Sequence, residues 1–195
     1  MTVDLLDEQL RAARRRLEAV APHMAHIEFE SDPEEVGRWL SDAAAAAFRG
    51  DFVLAQNDKP ATLYLWMNDF PFNTNRWFLV AFAAGPERPA HDEFDWRDAL
   101  IGDEIGGGLR VPDFLLTGME PAKAWFTGQG AAPPEWSAIV DVVLMAAFDL
   151  VARSLPHAGN LELRIAMSCS EDWRVCVWNA GTDRGVVHTW QPPTP

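Results

Sequence analysis

Residues Glu135 to Ser170 read EWSAIVDVVLMAAFDLVARSLPHAGNLELRIAMSCS, and one change of hydrophobic period inside this stretch decides the fold class. Up to Leu155 the apolar residues recur at helical spacing. Trp136, Ile139, Val140, Val143, Leu144, Ala147, Phe148, Val151 and Leu155 share a face, and Met145, Ala146 and Leu150 widen it. An apolar arc this broad predicts a long central helix with little water around it. Past Pro156 to Asn160 the period drops to two. Leu161, Leu163, Ile165, Met167 and Cys169 alternate with Glu162, Arg164, Ala166, Ser168 and Ser170, which predicts a strand buried on one face.

Working outward, Glu171 and Asp172 supply a tight reversal into a strand over Trp173 to Asn179. The stretch Gly181 to Gly185 supplies another into Val186 to Trp190, so a meander of three antiparallel strands closes the chain. Residues 191–195 should fray. Toward the amino terminus, Leu6, Leu10, Ala13, Leu17 and Val20 make the apolar stripe of a first helix over Leu5 to about Val20. A second helix has a clear start: Ser31 or Asp32 as cap, Pro33 in the first turn, and Glu34 and Glu35 at the positive end of the dipole. Val36, Trp39, Leu40 and Ala43 or Ala44 supply its buried side, and Gly50 ends the pattern. Strands are expected at Phe52 to Ala55, Ala61 to Met67 and Arg76 to Phe82. Thr62, Tyr64 and Trp66 alternate with Leu63, Leu65 and Met67, so this part of the sheet is either covered on both sides or has a binding surface on one.

Between Gly85 and Glu120 the pattern is irregular, with nine acids against three arginines, a net of −6; it reads as a long functional loop or as a small subdomain with short helices around Trp96 to Ile101, and a further short helix is expected over Glu120 to Phe126. The whole reads as a single α+β domain over 1–195: an antiparallel sheet of about five or six strands packed against two N-terminal helices and one long central helix, with an acidic excursion at about 85–120. A chain of 195 residues buries roughly 70% of its unfolded surface, enough for a core without metal or disulfide staples.

Charge bounds the partners. The chain carries 16 Lys and Arg against 29 Asp and Glu, a formal net charge of −13. A field of that sign repels a phosphate backbone, so nucleic acid is not an expected partner, whereas a basic protein surface would be drawn in. Arg14, Arg15 and Arg16, with Arg11 a turn earlier, are interleaved with Glu8 and Glu18 and read as a solvated helix face. No run of 18 uncharged apolar residues occurs, so no membrane association is expected. The first residues lack a signal-peptide pattern and there are only two cysteines, which together predict a cytoplasmic protein.

Motifs for catalysis are weak. Cys169 and Cys176 lack the tight redox spacing, and if Met167 pairs with Cys176 they sit diagonally on one face as buried thiols. His91, Asp92, Glu93 and Asp95, with Asp98, Asp103 and Glu104, match neither a calcium loop nor a zinc helix, so no metal and no cofactor is expected. Ser168 or Ser170 with His157 or His188, oriented by Glu162 or Asp172, would form a hydrolytic set only if the last strands packed suitably, and no nucleophile elbow surrounds either serine. Asp141 and Asp149 lie about 12 Å apart along the long helix at ~1.5 Å per residue, too far for a catalytic carboxylate pair. Gly102, Gly106, Gly107 and Gly108 lack the strand and helix of a phosphate loop.

What remains is an aromatic and acidic recognition surface. Phe70 and Phe72 stand in a turn-like segment and, with Asp92, Glu93 and Trp96, are the expected contacts for a protein partner of basic and apolar surface. The alternative is a small-molecule enzyme with a pocket between the aromatic sheet and the acidic segment, using Trp66 or Trp77 as a wall and Asp103 or His188 as a polar group. A homo-oligomer joined through the aromatic residues is the third reading.

Overall fold

The computed structural model describes residues 5–22, 26–49, 60–67, 76–77, 79–84, 100–101, 114–117, 135–169, 172–179 and 185–189. The first helix, α1, spans Leu5–Val20. Leu6, Ala13 and Leu17 are buried with Leu10 partly so, as the stripe requires, but Val20 is 52% exposed and Ala21 takes its place in the core. The second helix, α2, spans Pro33–Arg49. Asp32 is its cap: the side chain accepts from the Glu34 amide at 3.0 Å, and the backbone carbonyl accepts the first helical bond, from Val36. Gly37 is where α2 meets the end of the long helix. A Cβ there would stand 2.6 Å from both the Ser154 carbonyl oxygen and the His157 Cβ.

The long helix, α3, spans Trp136–Ser154 and runs on into a single 3-10 turn, Leu155–His157. It is buried almost all round, from Ile139 and Val140 through Phe148 to Val151, with Trp136 at the margin. Both α1 and α2 pack on it. Asp141 interrupts its apolar surface and is answered from two sides, by Arg16 of α1 at 2.7 Å and by Arg174 from the sheet. Asp149 pairs with Arg153 at 2.8 Å. The two carboxylates serve as a polar edge that orients the helix.

Nine strands are described: β1 Glu28–Phe29, β2 Thr62–Met67, β3 Arg76–Trp77, β4 Leu79–Ala84, β5 Leu100–Ile101, β6 Phe114–Thr117, β7 Arg164–Cys169, β8 Asp172–Trp178 and β9 Val186–Thr189. Six of them form one sheet in the order β5-β4-β2-β7-β8-β9, and the remaining three form a ribbon in the order β1-β6-β3. The α+β architecture with two N-terminal helices and a long central one is as expected, but the sheet is mixed rather than wholly antiparallel. β2 and β7 run parallel, with Leu63 opposite Ile165 and Leu65 opposite Met167. The long connection containing α3 carries the chain back so that β7 enters the sheet in the same direction as β2, which no tight hairpin could do.

Three local expectations are corrected. The strand read over Arg76 to Phe82 is divided, since Arg76 and Trp77 pair with β6 while Leu79 to Ala84 pair with β2. Leu100 and Ile101 are strand, neither loop nor helix, because they pair with Ala84 and Ala83. The face of β7 read as polar is closed to water at two of its positions: Ala166 and Ser168 are both buried. The strand read at Phe52 to Ala55 and the helix read at Glu120 to Phe126 lie outside the described residues.

Leu63, Leu65 and Met67 of β2, Leu79, Ala81 and Ala83 of β4, Ile165 and Met167 of β7, and Cys176 and Trp178 of β8 point to the helices and complete one core with them. Phe148 of α3 meets Trp178 edge to face, with ring centroids 6.1 Å apart at 79°.

Candidate functional site

Because strand side chains alternate, the positions between those core residues all fall on the sheet face away from the helices. Reading across in register, Val80, Trp66, Ser168, Val175 and His188 form one row on that face. Phe82, Tyr64, Ala166, Val177 and Val186 form the next. Tyr64 and Ala166 are buried at its centre, and Trp66, Phe82, Val175 and Val177 pack around them partly exposed. The Phe82 ring lies 6.3 Å from Tyr64 and 6.4 Å from Trp66 between centroids, both tilted, so the three rings make a continuous aromatic patch.

Two hydroxyls meet within this patch. The Tyr64 hydroxyl and the Ser168 Oγ share a hydrogen bond between adjacent strands, and both residues are buried. Tyr64 is the chain's single tyrosine, and its polar tip lets a large ring sit on an apolar face without an unmet donor.

Trp66 and His188 do share this face, at the two ends of one row. Three strand spacings separate them, roughly 14 Å at the usual interval. His188 is exposed. Trp77 belongs instead to the β3 ribbon, where it pairs with Phe114. Phe70, Phe72, Asp92, Glu93, Trp96 and Asp103 lie outside the described residues, as do His91, Asp95, Asp98 and Glu104.

Among the described residues the hydrolytic set does not assemble, and Ser170 lies outside them. His157 is exposed in the turn after α3, beside Gly37 and on the helical side. Ser168 is on the opposite face with its hydroxyl engaged by Tyr64, and Val175 of β8 stands between it and His188. The cysteine geometry is also altered. Met167 pairs with Cys176 as expected, but a register shift after Ser168 sets Cys169 opposite Asp172. Cys176 is buried and faces the helices. Among the described residues no group of three His, Cys, Asp or Glu side chains could hold a metal ion, and no helix is long and apolar enough to cross a membrane.

Sequence reasoning noted the alternation of Thr62, Tyr64 and Trp66 but missed that Phe82, Ser168, Val175 and Val177 join them. The signal was the apolar composition of both parities in β2 and β4, which pair with each other and bring Phe82 beside Tyr64; Ser168, Val175 and Val177 arrive only through the non-local pairing of β2 with β7. Comparison of the chain with family models, curated proteins and solved structures gives no match.

Proposed function

We propose that this chain is an acidic protein-interaction module whose partner presents basic and apolar surface. The observation that carries the reading is the aromatic sheet face, where Trp66, Phe82, Val175 and Val177 stay partly exposed on the side away from the helices. Rigid rings give a large contact area at low cost in side-chain entropy and often dominate binding energy. The net charge of −13 supplies long-range attraction for a basic partner. In the sequence Phe70 and Phe72 come soon after β2, and Asp92, Glu93 and Trp96 fall between β4 and β5, and these residues are the further proposed contacts.

Crosslinking and co-purification from the native source, followed by titration of each recovered partner, test the reading. Trp66→Ala and Phe82→Ala should each weaken binding by about tenfold or more, as central aromatic contacts do. Charge reversal by Asp92→Lys with Glu93→Lys should slow association and flatten its salt dependence. Unchanged binding in all of these variants would overturn the reading.

A second reading is a small-molecule enzyme whose pocket has Trp66 or Trp77 as a wall and Asp103 or His188 as its polar group, and the shared sheet face of Trp66 and His188 is the observation that favours it. A ligand touching both Trp66 and His188 would have to span roughly 14 Å of sheet. Saturable turnover in a substrate screen, lost in His188→Ala or Asp103→Asn, would decide for it.

A further inference from the structure

β9 is the last strand of the six-stranded sheet, and among the described residues no strand pairs along its outer side. It is open to water: Val186 is 46% exposed, and His188 and Thr189 are exposed as well. A strand edge presents N–H and C=O groups at ladder spacing, and the ligand that matches them is another extended backbone. Edges that remain in water are usually guarded by Lys, by Pro, by a bulge or by being very short. Val186-Val187-His188-Thr189 contains neither Lys nor Pro, and it pairs with β8 through four successive positions without a register shift. The opposite edge, β5, is two residues long and so offers little to pair with.

We infer that β9 is a strand-addition site, taking an extended segment of a protein partner in which Lys or Arg alternates with apolar side chains. The inference rests on the protein-interaction reading above and adds the element that docks the partner and the conformation the partner adopts. Charge selects the occupant. A second copy of a chain carrying −13 brings like charge to the contact, whereas a basic segment is attracted to it. β9 itself contains no acid, so the ladder at the edge and the attraction from the rest of the surface act independently. An apolar side chain of the added strand set beside Val186 would prolong the row that runs through Phe82, Tyr64, Ala166 and Val177.

The test titrates the full chain with three synthetic peptides of about eight residues, the length of an ordinary strand. One alternates Val with Lys, one alternates Val with Glu, and the third is the Val–Lys peptide N-methylated at every second residue. Methylation keeps the charge and side chains and removes the donors along one edge. The Val–Lys peptide should bind at low salt and slow amide hydrogen exchange within residues 186–189. The Val–Glu and the methylated peptides should each bind at least about tenfold more weakly, since one lacks attraction and the other lacks the ladder. No binding of the Val–Lys peptide, equal binding of the methylated one, or a sedimentation result showing that β9 already pairs with a second copy would overturn the inference. Slowed exchange confined to β2 and β4, with binding lost in Trp66→Ala, would overturn strand addition while leaving the interaction reading standing on the aromatic face.

Discussion

Trp178 and Trp66 occupy opposite sides of the same sheet, and their surroundings differ in kind. Trp178 is wholly buried between β8 and α3, edge to face with Phe148, while Trp66 is partly exposed in a patch that, among the described residues, sheet residues alone form. A tryptophan's size therefore says little about its role; what decides is whether a second layer closes over it. The largest expected effect follows directly. Trp178→Ala should lower stability by about 4 kcal/mol, the cost of a large core cavity, and Trp66→Ala by about 1.5 kcal/mol, because part of its surface is already wet. Urea unfolding of the two variants checks this, and equal losses would break the distinction between the faces. Trp178→Phe sharpens it further. Among the described residues the indole Nε1 has no hydrogen-bond partner, so this replacement should cost well under half as much as Trp178→Ala.

The same contrast recurs between two adjacent residues. At Gly185 an added Cβ would stand 2.7 Å from Trp178 Nε1 and 2.8 Å from its Cε2, on the closed side. Gly185→Ala should therefore cost about 2 kcal/mol through overpacking. Val186, the next residue, projects to the open side, and Val186→Ala should stay within about 0.5 kcal/mol of the parent. Thermal melts of the pair test whether the boundary between closed and open faces falls where the register puts it.

Why part of this was legible and part was not comes down to the range of the interactions. The helices could be read because their signals are local: the Asp32 cap with Pro33, and the recurrence from Ile139 to Val151, need no knowledge of neighbours. The register of β7 on β8 was legible in part: pairing Ser170 with Trp173 sets Met167 opposite Cys176, as observed, but the shift after Ser168 that puts Cys169 opposite Asp172 leaves no mark in the alternation. The pairing of β2 with β7 was not, because strands separated by α3 carry no local mark of which partner they will find. That one non-local contact buries Ser168 against Tyr64, overturns the polar reading at Ala166 and Ser168 and, through β8, brings Val175 and Val177 onto the face where β2 and β4 carry the aromatic patch. It also separates Trp66 from His188 by two intervening strands. Trp66 and His188 were picked from composition, and their shared face emerges only with the strand order.

The smallest expected effect concerns how the closed side is held together. Asp141 of α3 accepts from Arg174 of β8 and from Arg16 of α1, and the two arginines differ in exposure, 17% against 56% of the side chain. A half-exposed pair contributes little after screening and loss of side-chain freedom, whereas a pair sheltered by the sheet retains more of its attraction. Double-mutant cycles with Asp141→Ala should give a coupling of about 1 kcal/mol to Arg174→Ala and about 0.3 kcal/mol to Arg16→Ala. Repeating the cycles in molar salt should erase the second coupling and leave most of the first. Equal couplings, or equal sensitivity to salt, would mean that water reaches both sides of Asp141 alike and that the seam between α3 and the sheet is as open there as the aromatic face.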